Sequence, residues 1–226
     1  MLSKNILVVG ASRGIGGAVA QHFHRQDHYV YAVSRTQAIA GNWIAADIST
    51  AAGIQRVVDA VGANLLDALL YMGGVWEKNA FTDAFDFQGS SDEETRFVLA
   101  VNLIAPIELT KALARNLSMA KNPRAVYIGA LSGLNNAASP EVANTASKFG
   151  LRGAVQALRL ALATEKIGFT VINPGNIATE EVLSDIEAGR FSQQVPIPMT
   201  DVIETIEWIL ARSAAVDISE VNLRQK

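Results

Sequence analysis

The chain has 226 residues, 50% of them hydrophobic and 18% charged, and its formal net charge at pH 7 is -3. This size and apolar content allow a substantial core, and the charge gives no indication of binding to nucleic acid or to an anionic membrane. Because the sequence contains no cysteine, disulfides, thiolate catalysis and cysteine-ligated metals are excluded.

Residues 4–16 predict a buried strand, a glycine turn and the start of a helix. An apolar run at 6–9 precedes Gly10, Gly14 and Gly16, and helical periodicity follows. Glycine lets the backbone bend sharply and come close to a pyrophosphate, whose charge the free N–H groups of a helix start can bind. The stretch therefore predicts a dinucleotide site.

Strand-like and helix-like segments alternate through the chain. Further strands are predicted at 29–33, 42–46, 65–72, 124–130 and 169–173, and helices at 14–26, 51–62, 91–118, 141–165 and 200–212. This alternation predicts an α/β fold: a doubly wound, Rossmann-type, mainly parallel sheet of about seven strands with helices on both faces. We expect one domain over residues 1–226. It is expected to be cytoplasmic, since no apolar run approaches the roughly 20 residues that span a bilayer.

The least regular stretch is about 178–199, with Gly189, Pro196 and Pro198. A long loop in a compact domain is often a lid or a binding segment, so we interpret it as a substrate loop. A surface excursion without function is the alternative.

Six ordered motifs resemble the short-chain dehydrogenase/reductase family. They are the GxxxGxG turn from Gly10 to Gly16, the pair Asp47 and Ile48, Asn102, Ser132, Lys148, and the segment from Asn173 to Thr179 with its Pro174-Gly175 motif. The resemblance runs from residue 4 to about 180. It implies a nicotinamide cofactor and oxidoreductase activity on a small carbonyl or alcohol.

The resemblance also implies a set of cofactor-binding residues. They are Gly10, Ser12, Arg13, Gly14, Ile15, Gly16, Ser34, Arg35, Asp47, Ile48, Gly73, Lys148, Pro174, Gly175, Ile177 and Thr179. NAD-binding units carry an acid about 20 residues after the glycine turn, where it holds the ribose 2′-hydroxyl. Here Arg35 ends the second strand and, with Arg13, is placed to pair with a 2′-phosphate. The charges favour NADP over NAD, the alternative being two ordinary surface arginines.

The chain departs from the family at the catalytic tyrosine. In the family this tyrosine lies four residues before the lysine on one helical face, and it exchanges a proton with the substrate oxygen. In this chain the position four before Lys148 is Asn144. An amide donates a hydrogen bond but cannot deliver a proton and remain a stable anion. Positioned acid–base groups contribute about 10²–10⁴ in rate, so ordinary carbonyl reduction is expected to be impaired.

Three further residues are candidates at the reacting end. The resemblance implies that Ser132 donates to the substrate oxygen, the alternative being a turn-forming serine. It implies that Asn102 supports a water relay through Lys148, the alternative being a buried helix amide. Ser132 or a bound water is a candidate for the missing proton donor. Tyr71, which begins the stretch that replaces the family's NNAG motif, is interpreted as core packing, with a surrogate acid as the alternative.

Two functions remain open. The first is an NADP-dependent oxidoreductase with an atypical proton donor, and the second is a catalytically inactive NADP-binding sensor or assembly protein. The expected partners are a small-molecule substrate and further copies of the chain, as a homodimer or homotetramer, because the family often packs its equivalent of helix 141–165 between subunits. No metal site is expected, since His22, His24 and His28 lie near a helix end without a further ligand.

Overall fold

A single parallel sheet of seven strands forms the centre of the computed structural model, which describes residues 3–191 and 194–226. The strands are β1 (Asn5–Val9), β2 (Tyr29–Ser34), β3 (Asn42–Ala45), β4 (Ala68–Tyr71), β5 (Arg124–Ile128), β6 (Gly168–Pro174) and β7 (Glu220–Leu223). Their order is β3-β2-β1-β4-β5-β6-β7. The order reverses between β1 and β4, which is where such sheets bind ligands beyond the carboxyl ends of the strands. The predicted Rossmann-type fold is confirmed.

Helices cover both faces of the sheet. They are α1 (Gly14–Arg25), α2 (Ala51–Val61), α3 (Asp92–Leu99), α4 (Ala105–Ser118), α5 (Val142–Ala161), α6 (Glu180–Glu187) and α7 (Met199–Leu210), with a π-helical turn at Ala100–Ile104. Alternate strand residues point to opposite faces. Leu7 and Val9 therefore pack with α2, α4 and α5, whereas Ile6 and Val8 pack with α1 and α7.

One helical span is long and apolar enough, by length and composition alone, to cross a membrane. It is Asp92–Ser118, which includes α3, the π-helical turn and α4. Leu109, Leu113 and Leu117 lie on one face of α4 and are fully buried against the sheet. This burial is typical of a core helix, whose apolar stripe covers the sheet.

The segment 178–199 is more regular than the sequence analysis indicates, because it contains α6. Thr179 caps this helix with its side chain, and Glu180 and Glu181 occupy the first turn, where the helix dipole favours negative charge. The helix is short, and the glycine and prolines that follow it dominate the sequence pattern. Residues 192–193 lie outside the described residues, and the role of the segment as a substrate loop stays a prediction.

Candidate active site

A cavity of about 900 Å³ opens beyond the carboxyl ends of the strands. It is lined by the turn after β1, by residues that follow β2 and β3, and by residues that follow β4, β5 and β6. The residues from the sequence analysis that line it are Gly10, Ser12, Arg13, Gly14, Ile15, Ser34, Arg35, Asp47, Ile48, Gly73, Ser132, Asn144, Lys148, Pro174, Gly175, Ile177 and Thr179. Gly16 and Asn102 lie behind this lining, Gly16 against the backbone of Gly10 and Asn102 near Gly74.

The turn after β1 is a cradle built from backbone. Gly10 and Gly14 have φ angles of +88° and +54°, which favour glycine. A Cβ on Gly16 would lie 2.2 Å from the carbonyl oxygen of Gly10. Arg13 stands at the N-cap of α1 without a side-chain cap, as Pro198 does at α7, whereas α2, α3 and α6 each have one. In the part of the chain that the structure describes, the first N–H groups of α1 are therefore available to an anion such as a diphosphate.

Charged side chains stand at the ends of β2 and β3. The guanidinium of Arg35 lies over the ring of Phe97, 5.7 Å from its centroid. The hydroxyl of Ser49 donates to Asp47 at 2.7 Å, and this hydrogen bond, with the charge of Arg35, lowers the pKa of Asp47. Phe97 also lines the cavity, although the sequence analysis did not single it out. This end of the cavity thus offers a positive group beside an aromatic ring.

Helix α5 presents Asn144 and Lys148 to the cavity, one helical turn apart. The Nζ atom of Lys148 donates to the carbonyl of Ile128 at 3.1 Å, and burial lowers the pKa of Lys148 to about 8. Lys148 therefore changes its charge close to neutral pH. Asn144 is only 3% exposed, and within residues 3–191 and 194–226 its side-chain amide makes no hydrogen bond. The cavity therefore contains a buried amide that is free to bind a ligand.

Two buried carboxylates, which the sequence analysis missed, fix the start of α5. The Oε1 atom of Glu77 accepts the N–H groups of Ala143 at 2.7 Å and Asn144 at 3.2 Å. The Oε1 atom of Glu141 accepts the N–H group of Phe81 at 2.8 Å and holds that residue at a φ of +65°. Negative charge is favourable at a helix N-terminus. The two acids therefore join the segment after β4 to the helix that carries Asn144.

Asn102 lies in the π-helical turn and binds the same segment after β4. Its Oδ1 atom accepts the N–H group of Val75 at 2.9 Å, and its Nδ2 atom donates to the Val75 carbonyl at 2.7 Å and to the Ser147 hydroxyl at 3.1 Å. Both ends of the amide are thus engaged by the protein, which agrees with the buried-amide alternative. The water relay through Lys148 stays a prediction.

Ser132 lies in a 3₁₀ turn at Leu131–Gly133, directly after β5, and lines the cavity. A Cβ on Gly133 would lie 2.9 Å from the backbone of Lys148, so the turn packs closely on α5. The structure therefore brings the serine, the amide of Asn144 and the lysine to one end of the cavity.

Tyr71 and Tyr127 do not line the cavity. The hydroxyl of Tyr71 donates to the Val101 carbonyl, and the hydroxyl of Tyr127 shares a hydrogen bond of 2.6 Å with that of Thr110. Both side chains are buried in the core, and burial raises the pKa of each phenol. The packing interpretation of Tyr71 therefore fits the structure, and the surrogate-acid alternative does not.

We expect Tyr71→Phe to leave turnover unchanged and to lower the free energy of unfolding by about 1–2 kcal/mol, because one buried hydrogen bond is lost. Urea denaturation measures the second quantity and steady-state kinetics the first. A tenfold or larger fall in kcat with unchanged nucleotide binding would contradict the assignment of Tyr71 to the core.

Amides and α6 line the part of the cavity that follows β6, where a Cβ on Gly14 would lie 3.8 Å from Cγ2 of Thr179, the cap of α6. The Nδ2 atom of Asn176 and the Nε2 atom of Gln225 both donate to Oε1 of Gln194, at 2.9 and 2.6 Å. Gln225 follows β7, so its place in the site depends on β7 pairing beside β6. The acidic residues of α6 that line the cavity are Glu180, Glu181 and Asp185.

Comparison with known proteins agrees with this geometry. The family described as short chain dehydrogenase matches residues 4–188. The 3-oxoacyl-[acyl-carrier-protein] reductase FabG of Escherichia coli (strain K12) is 28% identical over 208 residues, which is 85% of this chain and 82% of that protein. The solved structure "4-hydroxyisoleucine dehydrogenase complexed with NADH" has 24% identity and a TM-score of 0.81, covering 99% of this chain and 97% of that one. The structure "ElxO with NADP Bound" has 17% identity and a TM-score of 0.83, covering 99% and 98%. The chain belongs to the short-chain dehydrogenase family, whose members are oxidoreductases.

Proposed function

We propose that this protein is an NADP-dependent oxidoreductase acting on a small carbonyl or alcohol, with an atypical proton donor. The observation that carries the proposal is one cavity that joins an uncapped glycine cradle to Ser132, Asn144 and Lys148. The named activities of relatives support it, since FabG is a reductase and the ElxO structure is described with NADP bound.

The backbone cradle and the residues after each strand would hold the cofactor. The uncapped start of α1 would bind the diphosphate, Arg13 and Arg35 would pair with a 2′-phosphate, and Lys148 would bind the nicotinamide ribose. When bound, the nicotinamide supplies or accepts a hydride. Both arginines are solvent-exposed and line the cavity, so each can reach a phosphate without loss of a buried contact.

We expect Arg35→Ala to weaken NADPH binding about tenfold or more and to leave NADH binding nearly unchanged. A charge-assisted hydrogen bond contributes about 1.5–3 kcal/mol, and only NADPH carries the phosphate that accepts it. Nicotinamide fluorescence during titration measures both affinities. Arg25→Ala, an exposed arginine outside the cavity lining, is the control. Equal weakening of both nucleotides would mean that Arg35 does not select between them.

At the reacting end, Asn144 would occupy the place of the family's tyrosine. Its amide can orient a substrate oxygen but cannot supply the proton that an alkoxide needs. The Ser132 hydroxyl would donate to the same oxygen, and Ser132 or a bound water would pass the proton. Lys148 is placed to assist, because its lowered pKa of about 8 lets it release and recover a proton near neutral pH.

Titration of the wild-type chain with NADPH and NADH, followed by a panel of small carbonyls, tests the whole proposal. We expect tighter binding of NADPH and slow but measurable oxidation of it. Absence of binding by either nucleotide would overturn the proposal, and binding without turnover of any substrate would favour a sensor or assembly protein.

Self-association as a homodimer or homotetramer stays a prediction. Exposed apolar side chains on α5 and in the turn before α4 support it: Leu160 is 78% exposed, and Phe149 and Ile104 are 36% and 47% exposed. Large exposed apolar side chains on neighbouring helices are typical of protein–protein contacts.

A further inference from the structure

Among the described residues, the cavity lining contains no tyrosine, the side chain that protonates a carbonyl oxygen in the family. Within the described residues, its ionisable lining consists of Arg13, Arg35, Asp47, Lys148, Glu180, Glu181 and Asp185. No tyrosine, histidine or cysteine is among them. Hydride addition to a carbonyl leaves an alkoxide, which must gain a proton. Reduction of a substrate that gains no proton would avoid this difficulty.

The charged residues of the lining come from different elements. Arg13 and Arg35 follow β1 and β2, whereas Glu180, Glu181 and Asp185 lie on α6, which follows β6. Asp185 pairs with Arg190 at 2.6 Å, but among the residues that the structure describes Glu180 and Glu181 have no ion-pair partner. Unpaired carboxylates beside a cleft attract cations and repel anions.

Two aromatic side chains and the amide of Asn144 also favour a cationic ligand. Trp76 and Phe81 both line the cavity, are 45% and 39% exposed, and meet edge to face with their ring centroids 6.0 Å apart. Exposed aromatic faces bind organic cations. Asn144 is 3% exposed, its side-chain amide has no hydrogen-bond partner among the residues that the structure describes, and the partial negative charge of its oxygen can face a positively charged nitrogen.

We propose that the cavity accepts cyclic iminium ions and reduces their C=N⁺ bond with NADPH, a further activity that rests on the NADP-dependent function proposed above. The iminium carbon gains the hydride with its electron pair, and the π pair of the C=N⁺ bond moves to nitrogen as a lone pair. The product is a neutral amine and the nicotinamide is oxidised. The reaction consumes no proton, so having an amide at residue 144 in place of an acid does not slow it.

Among the described residues, Lys148 is the cation that lines the cavity beside Asn144 and Ser132, and its charge opposes a cationic substrate. Its Nζ atom is bound by the Ile128 carbonyl, and its buried position makes the charge easy to lose. Glu180 and Glu181 bring two negative charges to the same cavity from α6. With Arg13 and Arg35 paired to the cofactor's phosphate, the lining as a whole retains more negative than positive charge, which favours a cation.

The experiment compares two substrates of similar size with the wild-type chain and NADPH. N-methyl-3,4-dihydroisoquinolinium is a permanent cation with a C=N⁺ bond, and 1-tetralone is a neutral ketone. Because an iminium is intrinsically the better hydride acceptor, the ratio of kcat/KM for the iminium to kcat/KM for the ketone is compared between the wild type and Asn144→Tyr. We expect this ratio to be about 100-fold higher in the wild type, which is the scale of a positioned acid. The same ratio in both proteins, or no reduction of the iminium by the wild type, would overturn the inference and leave the proposed function standing. Absence of nucleotide binding would overturn both.

Binding without reaction gives a second readout. Calorimetry with N,N-dimethyl-1,2,3,4-tetrahydroisoquinolinium, which has no reducible bond, should show binding that Glu180→Gln/Glu181→Gln weakens roughly tenfold, because two attracting charges are removed. Glu187→Gln, on the same helix but outside the cavity lining, should not change it. Equal affinity in the double variant and the wild type would show that α6 does not select cations and would overturn the inference.

Discussion

Asn144→Tyr is expected to raise kcat for small ketones by about 10²–10⁴-fold, the range that a positioned general acid contributes. Residue 144 lies one helical turn before Lys148, and both line the cavity. The phenol would replace an amide that has no hydrogen-bond partner to lose within the described residues. Lys148, whose pKa is already lowered by burial, would stand beside the new hydroxyl and favour release of its proton. NADPH oxidation with a ketone panel measures the effect.

Asn144→Phe is the matched control, because it adds the ring without the hydroxyl. A gain in the tyrosine variant and none in the phenylalanine variant would assign the effect to proton transfer. A wild-type rate that already equals the rate of the tyrosine variant would contradict the expectation and show that another donor operates in the wild-type chain.

Gly16→Ala is expected to weaken nucleotide binding strongly. The new Cβ would lie 2.2 Å from the carbonyl oxygen of Gly10 and 2.6 Å from its carbon, and both atoms are backbone. The turn would have to move, at a cost of about 1–3 kcal/mol in stability, and the cradle would lose its shape. We expect NADPH affinity to fall by about 100-fold or more, which corresponds to about 2.7 kcal/mol. Fluorescence titration measures it.

Gly153→Ala is the matched control, since Gly153 is also a helical glycine but has no atom within 4 Å of the added Cβ. We expect this variant to bind NADPH normally and to unfold with a free energy about 0.5–1 kcal/mol higher, because alanine favours the helix. Normal nucleotide binding by Gly16→Ala would show that the cradle tolerates a side chain and is not shaped around a diphosphate.

The fold was predictable because its central strands are continuous apolar runs. Residues 6–9 are buried on both faces of the sheet, and such runs predict parallel strands. Strand β7 was not placed, because Glu220–Leu223 is only half-buried and mixes polar with apolar residues. Helix α6 was missed because eight residues are too few for a clear helical period.

The site was predictable where a constraint is local and not where it depends on distant contacts. The glycines of the turn after β1 can be recognised in the sequence because the bend itself requires glycine. The role of Glu77 cannot be recognised in this way, because its hydrogen bond to Ala143 joins residues 66 apart in the chain. Gln225 meets Gln194 across 31 residues, and only the pairing of β7 beside β6 brings them together. Local sequence patterns do not indicate contacts between residues that are so far apart in the chain.

The uncapped start of α1 has a consequence for handling the protein. Four backbone donors at a helix start need partners, and no side chain at the N-cap supplies one. A dinucleotide that satisfies them binds the folded chain alone, and at 100 times its dissociation constant it adds about 2.7 kcal/mol to the unfolding free energy. Thermal melting midpoints should therefore rank candidate dinucleotides, and the ranking needs no knowledge of the substrate.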